Sequence, residues 1–373
     1  MASDPAERAE AVVEIDLTGL VANWRLLAAQ VEPAGCAAVV KADAYGLGAR
    51  QVSVALAAAG CRVFFVASLD EGIALRNVLP ASCEIAVLNG PVPGSAEEFV
   101  SHRLVPVLNE PGQIAAWTEI TARRGGLAAI LHVDTGMARL GLTTREFEVL
   151  AADRTPRQRA IRWRALISHL ACADEPAHPL NAVQRARFVT ARRQLGDIPA
   201  SLAASSGIFL GRGFHFDFVR PGAALYGVSP RPGIANPMRQ IIRLRARILQ
   251  VREIDRGEPV GYGAAHVMDR PGRLATVAVG YADGWLRSLS HRGSGRLGGR
   301  RLPLLGRVSM DLAVFDVSAA DPALVRPGSF IELLDDDYGV DAAAADAGTI
   351  GYEILTALGR RYHRVYRDEA TRC

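Results

Sequence analysis

Along the first part of the chain, short apolar runs recur, each closing on a polar residue and followed by a stretch of helical periodicity. Val12 to Asp16 reads as a strand and Leu20 to Val31 as an amphipathic helix. The repeating runs then come in order: Cys36 to Val40 ahead of Lys41, Val63 to Ser68, Ile85 to Asn89, Val105 to Asn109, Ala128 to Asp134, Ala165 to His169, Ser201 to Ser206 and Val219 to Tyr226. Brief apolar runs bounded by turn residues and alternating with helical patterns are the signature of buried parallel strands. Eight such units over about 230 residues predict an α/β fold, a (β/α)₈ TIM-like barrel with the polar strand ends gathered on one face. A doubly wound open sheet is the alternative, but no GxGxxG follows the first strand.

From about Arg243 the pattern changes to long alternating runs: residues 243 to 251, 274 to 285, 302 to 318 and 329 to 334, with one late helix from Ile350 to Leu358. Period-two alternation predicts a mainly antiparallel C-terminal β domain. The Gly-rich stretch HRGSGRLGGR at 291 to 300 reads as a hairpin, since no strand-to-helix phosphate loop follows it. The expected division is a flexible N-terminus over 1–12, a barrel over 13–240 and a β-rich domain over 241–373.

Length and composition narrow this picture. A chain of 373 residues exceeds what one core usually covers, and 49% hydrophobic with 22% charged residues is globular. The net charge of +4 comes from arginines interspersed with Asp and Glu, which predicts solvated faces and no nucleic-acid partner. Cys36, Cys61, Cys83, Cys172 and Cys373 are odd in number and widely spaced with no CxxC, so they read as reduced thiols, neither a disulfide frame nor a metal site. The N-terminal stretch is acidic without an apolar core, and no run of about 18 apolar residues occurs, so no secretion and no membrane span is expected and a cytoplasmic location is inferred.

One residue type is conspicuous. Lys41 is the only lysine, every other member of the 43 basic residues being arginine. A position that keeps an amine in an arginine-rich chain needs a nucleophile, which a guanidinium with pKa above about 12 does not provide. The turn-rich Asp43 to Gly48 that follows puts Lys41 at the C-terminal end of a strand, where parallel barrels carry their chemistry.

The string AVVKADAYGLGA at 38 to 49 resembles the cofactor-lysine signature of alanine racemases. In that family the lysine forms a Schiff base with pyridoxal 5'-phosphate. Further segments carry the resemblance in family order. HVDTGMARLGL at 132 to 142 implies Arg139 as the residue that holds the substrate carboxylate, which an arginine fork does through paired charge-assisted bonds. ISHLACADE at 167 to 175 implies that His169 stacks on the pyridine ring, and SLAASSGIFL at 201 to 210 makes Ser205 a phosphate ligand with Ser206 its nearest substitute. VRPGAALYG at 219 to 227 implies Arg220 at the pyridine nitrogen, with Gly222 and Ala223 offering backbone amides to phosphate. An arginine there stays protonated and makes the ring a weaker electron sink than a carboxylic acid would.

GYADGW at 280 to 285 implies Tyr281 as the second base, opposite Lys41. GRVSMD at 306 to 311 implies Met310 and Asp311 at a narrowed substrate pocket, IGYE at 350 to 353 implies Tyr352 at the phosphate, and Tyr45 carries over as another phosphate ligand. The resemblance also implies a homodimer in which Tyr281 and Met310 serve the active site of a partner copy. The sequence departs from the family at three places. His132 stands where a carbamylated lysine is often found and cannot carry that modification, so His132, a bound anion or a nearby carboxylate is expected to orient Arg139. Leu47 and Ala204 replace the more usual His and Asn.

The resemblance therefore implies a pyridoxal-phosphate-dependent racemase acting on a small amino acid, alanine foremost, in the service of cell-wall D-alanine. A serine or broad-specificity racemase, and a non-catalytic pyridoxal-phosphate carrier, are the other readings. A carrier resembles the barrel alone, and the GYADGW and GRVSMD strings lie beyond it.

Overall fold

The computed structural model describes residues 8–153, 160–196 and 198–368; most of the expected flexible start, and Cys373, lie outside them. The chain divides into two compact units, one running from Leu20 to Leu225 with Ser229–Arg239, the other holding the described residues up to Gly19, Tyr226–Val228 and the chain from Gln240.

In the first unit the strands Ala38–Val39, Val63–Val66, Glu84–Val87, Val105–Leu108, Ala128–His132, Arg162–Ile167 and Ala200–Ser201 lie side by side in sequence order. Each successive pairing is parallel. An eighth strand, Phe218–Val219, closes the ring, pairing in parallel with Gly35–Cys36 just ahead of the first. On its other side the amides of Asp217 and Arg220 donate to the carbonyls of Ala200 at 3.0 Å and Ala203 at 2.9 Å. Side chains on both faces of these strands are buried, among them Phe64, Phe65, Val87, Val107, Ile130 and Leu166. Strands covered on both faces read as unbroken apolar runs, which is why their pattern was visible in the sequence.

Helices follow the early strands with legible start signals. Ser68 caps Leu69–Arg76 and Thr143 caps Thr144–Ala152, each with a glutamate three residues on in a capping box. The last two units differ from expectation. Ser201 to Ser206 is a strand only at its start and then enters a 3₁₀ turn over Ser206–Leu210, and Val219 to Tyr226 turns into Ala223–Tyr226 in the same way. In the later stretch the amides of Gly222 and Ala224 donate to Ser205 Oγ and not to a neighbouring strand, so the apolar run there is a buried loop.

The second unit is an antiparallel sheet that closes on itself. Gly272–Val277, Ala313–Asp316, Arg300–Leu305, Ser294–Leu297, Phe330–Leu334 and Ile242–Ile254 are neighbours in that order, and the last pairs back onto the first. Ser294–Leu297 and Arg300–Leu305 form the expected hairpin, with Gly298 and Gly299 as its two-residue turn at φ 57° and 78°. Two consecutive left-handed residues are what a type I′ turn requires.

Ala11–Asp16 belongs to this sheet and not to the barrel: it pairs antiparallel with Ile242–Ile254 and parallel with His363–Arg367. The expected boundary at residue 13 therefore moves to Gly19, and residues 11 and 12 are strand. Periodicity identifies a strand but not its partner. The late helix is Gly351–Thr356, preceded by an unexpected Val340–Ala347. No helix among the described residues is long and apolar enough to cross a membrane.

Candidate active site

The amine of Lys41 sits directly after the first barrel strand, at the start of a left-handed turn: Ala42, Asp43 and Ala44 have φ 53° and Tyr45 φ 57°. For L-residues this conformation costs roughly 1–2 kcal/mol each, so it persists only where surrounding contacts dictate it. Those contacts are present. Ala44 N donates to Val40 O at 2.9 Å, Gly46 N to Ala42 O at 2.8 Å, and Ala49 N to Asp43 Oδ1 at 2.7 Å. Glu71 closes the set, Oε1 accepting from Ala42 N at 2.6 Å and Oε2 from Ala67 N at 2.7 Å. Burial, then Arg139, push the Lys41 amine below its ordinary range, with Glu71 opposing them. The amine is thereby made a better nucleophile.

The turn carries Tyr45 inward, where it is buried beside the eighth strand end. A Cβ at Gly222 would lie 2.3 Å from Tyr45 Oη, so only glycine admits the phenol there. Ser205 braces the same loop: its Oγ accepts from Gly222 N and Ala224 N, both at 3.1 Å. With both acceptor positions taken, the Ser205 O–H is left to donate, which suits an anion.

Arg220 is buried and held by carbonyls. Nη1 donates to Ser201 O at 2.7 Å and Ser201 Oγ at 2.6 Å, and Nη2 to Ser168 O at 2.6 Å. Burial pushes its pKa down to about 10, so it remains a cation at neutral pH. A guanidinium has five N–H donors, so these bonds leave Arg220 some for a ligand acceptor.

His169 follows the sixth strand. Burial, then Arg220 and Arg139, push its pKa to about 3, keeping a neutral flat ring. Gln184 fixes the loops on both sides, donating to His169 O at 2.9 Å and to Thr135 Oγ1 at 3.3 Å while accepting from Ala171 N at 2.9 Å. The Arg139 loop is organised by Asp134, whose carboxylate accepts from the amides of Gly136, Met137 and Ala138 at 2.8, 2.8 and 2.9 Å. Burial opposes the charge on Asp134, but these amides prevail and hold its pKa below the usual range. Arg139 itself is exposed. His132 Nδ1 lies 2.7 Å from Asn109 Oδ1. Lys41, Tyr45, His132, Arg139, His169, Ser205, Arg220, Gly222 and Ala223 thus all lie at C-terminal strand ends of one barrel, where such folds hold their active sites.

The remaining expected residues are in the second unit. Tyr281 lies in a 3₁₀ turn, Tyr281–Asp283, instead of the expected strand, and Met310 and Asp311 lie in the loop between Arg300–Leu305 and Ala313–Asp316. Tyr281 N donates to Ser309 O at 3.0 Å and Ala282 N to Met310 O at 2.9 Å, so the two segments are joined. Arg361 clamps them: Nε and Nη2 donate to the buried Asp283 carboxylate at 2.6 and 2.9 Å, and Nη1 to Asp311 Oδ1 at 2.7 Å. Tyr281, Met310 and Tyr352 are 43%, 54% and 38% exposed, an apolar display with room for other contacts. Tyr352 stands in the helix Gly351–Thr356.

Residues 15–230 match the family Alanine racemase, N-terminal domain, and residues 241–366 match Alanine racemase, C-terminal domain. The chain belongs to the alanine racemase family. It is 53% identical over 363 residues to an alanine racemase of Rhodospirillum rubrum, with 96% of each chain covered. It is 48% identical to a catabolic alanine racemase of Mesorhizobium japonicum, covering 96% of this chain and 93% of that one. Among solved structures it is similar to alanine racemase from Bartonella henselae with covalently bound pyridoxal phosphate, at TM-score 0.92 and 41% identity, covering 96% of this chain and all of that one.

Family membership does not by itself assign the residues around the motifs. Glu71, Asn109, Gln184 and Arg361 support the site and were not found from the sequence. Glu71 had a usable signal, the Ser68-x-x-Glu71 spacing of a capping box. The others act through long-range contacts with no local signature.

Proposed function

We propose that this chain interconverts L- and D-alanine with pyridoxal 5'-phosphate held on Lys41, and that it supplies D-alanine for peptidoglycan. The observation that carries the reading is the lone lysine amine, pushed toward its neutral form, on the same barrel end as a buried Arg220, a neutral His169 and the anion-facing Ser205 loop. The Bartonella henselae relative binds pyridoxal phosphate covalently. The donors suit the group: Ser205, Tyr45 and the amide of Ala223 for the phosphate, with Gly222, whose own amide is taken by Ser205 Oγ, leaving room for the Tyr45 phenol, Arg220 for the pyridine nitrogen and His169 against the ring. When bound, the cofactor supplies an electron-withdrawing ring that acidifies the substrate's α-hydrogen.

The chain's own residues do the rest. Arg139 holds the substrate carboxylate with its fork. His132, neutral and bonded through Nδ1 to Asn109, has Nε2 free of a proton and serves as the acceptor that orients Arg139. Tyr281 Oη takes the proton from the L-isomer while Lys41 Nζ delivers one to the opposite face, and the two roles reverse for the D-isomer. Met310 and Asp311 narrow the pocket to a small side chain. Tyr281 and Met310 act from the second unit of a partner copy, so the working form is a homodimer with shared sites.

The test is to incubate the purified protein with L-alanine in heavy water, follow α-proton exchange by NMR and resolve the enantiomers, with L-serine and L-arginine in parallel. Exchange with D-alanine formed, faster than with serine, is expected. Exchange without inversion would remove the second base, and no exchange in protein that holds the cofactor would favour a carrier.

A further inference from the structure

The left-handed turn after Lys41 is held by a side chain from another strand end. Glu71 is the third residue of the helix Leu69–Arg76, and a capping-box glutamate there normally returns to the amide of its own N-cap. Glu146, in the other glutamate capping box among the described residues, does this: its Oε2 accepts from Thr143 N at 2.9 Å and Thr143 Oγ1 at 2.8 Å. Glu71 behaves differently. Its bond to Ser68 N is its longest, 3.3 Å, while the two short ones go to Ala67 N at 2.7 Å and to Ala42 N at 2.6 Å. Ala42 is the residue directly after Lys41 and the first of the left-handed run. One carboxylate therefore ties the end of the second strand to the strained turn that aims the amine.

We propose that Glu71 is the positioning residue for Lys41, locking the amine-bearing turn through Ala42 N and standing as the amine's counter-charge. This rests on the reading that Lys41 works as amine and proton carrier. The groups that bear on Lys41 make the second part necessary. Burial and the Arg139 guanidinium both drive the amine toward neutrality, and His169 interacts with it electrostatically from the sixth strand end; Glu71 opposes the loss of the proton. An amine that must alternately lack and carry a proton is served by that balance of opposing influences. A glutamine keeps one acceptor oxygen but no charge, and an aspartate is a methylene too short to reach both strands.

Lys41 is the only lysine, so the one other amine that acylation reaches is the N-terminal one, which falls in a separate peptide. The full-length chain, freed of cofactor, is treated with an acylating reagent across a pH series, and the Lys41 peptide is quantified by mass spectrometry. Glu71→Gln is expected to move the labelling midpoint to lower pH, because the carboxylate that favours the ammonium form is gone. Ser68→Ala, which disrupts the helix cap and leaves Glu71 in place, is expected to keep the wild-type midpoint. An unchanged or raised midpoint in Glu71→Gln, or an equal shift in Ser68→Ala, overturns the proposal.

The wild type supplies a second measurement that does not depend on a variant folding. Ala42 is exposed, so protection of its amide from hydrogen exchange requires the Glu71 bond; slow exchange is expected and free exchange overturns the proposal. Labelling needs no cofactor. Failure of the cofactor reading, seen as no borohydride-reducible adduct at Lys41, is thus registered separately.

Discussion

Asn109 sets the protonation of His132. Its Oδ1 lies 2.7 Å from His132 Nδ1, while its Nδ2 donates to Leu88 O at 2.9 Å and Val107 O at 3.0 Å. An amide nitrogen committed to two carbonyls leaves the oxygen to face the ring, so the imidazole must bring the hydrogen on Nδ1. The tautomer follows from the network, and the Nε2 lone pair is what remains for an arginine.

This relationship has a pH signature. Burial, then Arg220, hold His132 at about 4, partly offset by Asp134, and burial with Arg220 holds His169 at about 3. Both rings should remain neutral down to pH 5 in NMR titrations, identified through His132→Asn and His169→Gln, whereas unfolded histidine takes its proton near pH 6.5. Because the unfolded chain binds these protons first, each ring's contribution is fully present above about pH 6.5 and is lost as pH falls through the folded value, about 4 for His132 and about 3 for His169. Asn109→Asp puts a carboxylate's negative charge beside His132 Nδ1 and should raise the His132 titration. It also leaves Leu88 O and Val107 O without their donor, with a stability loss of about 1–3 kcal/mol. A His132 signal that titrates normally in the wild type would refute the assignment.

The Gly222 loop yields a steric prediction. Gly222→Ala should displace the Tyr45 phenol, since the added carbon meets Oη at 2.3 Å and Cζ at 3.0 Å. Cofactor affinity, followed by fluorescence titration, is expected to fall by about tenfold or more, about 1.4 kcal/mol. Tyr45→Phe in the Gly222→Ala background removes the closest atom and should recover part of the loss, a non-additivity that a double-mutant cycle isolates. Strictly additive losses would mean that the two residues act independently.

Most of the barrel was readable because burial on both faces leaves each strand as a plain apolar run, and the polar residue that ends it is the one at the mouth. Lys41 and His169 close or follow such runs, whereas Arg220 was singled out only by motif resemblance. What local pattern does not encode is pairing over long separations. Ala11–Asp16 looks like any other buried strand, yet its partners are Ile242–Ile254 and His363–Arg367. The supports of the site share that property: Asn109 reaches His132 from the preceding strand end, and Arg361 meets Asp283 across 78 positions of sequence. The apolar run at Val219 to Tyr226 misled because a buried loop whose Gly222 and Ala224 amides are satisfied by Ser205 has the same composition as a strand.

Arg361 should matter to Tyr281 without touching the reaction. Arg361→Met keeps the stem but strips both carboxylates of their partner, and Asp283 is buried and retains a bond from Gly280 N at 2.9 Å. The guanidinium is half in solvent, so the stability loss is modest, about 1–2 kcal/mol. Loosening the joined 281 and 310 segments should lower kcat by about tenfold through misplacement of the phenol, with the cofactor's visible band retained. Unchanged kcat in a correctly folded variant would show that the clamp serves stability alone.

The two proposed proton carriers should fail in different ways. Lys41→Arg replaces an amine with a group that stays protonated, so no borohydride-reducible adduct should form at position 41 and the visible band should disappear. Tyr281→Phe keeps Lys41 and every barrel contact described here, because Tyr281 belongs to the second unit. The band should therefore persist while inversion falls by about 10²–10⁴-fold, the usual range for losing a positioned acid or base. In heavy water the distinction becomes directional. With Lys41 as the remaining base, D-alanine should still exchange its α-hydrogen while L-alanine, whose hydrogen faces Tyr281, should not. Equal loss of exchange from both isomers, or a missing band in Tyr281→Phe, would assign the phenol a structural role in place of a chemical one.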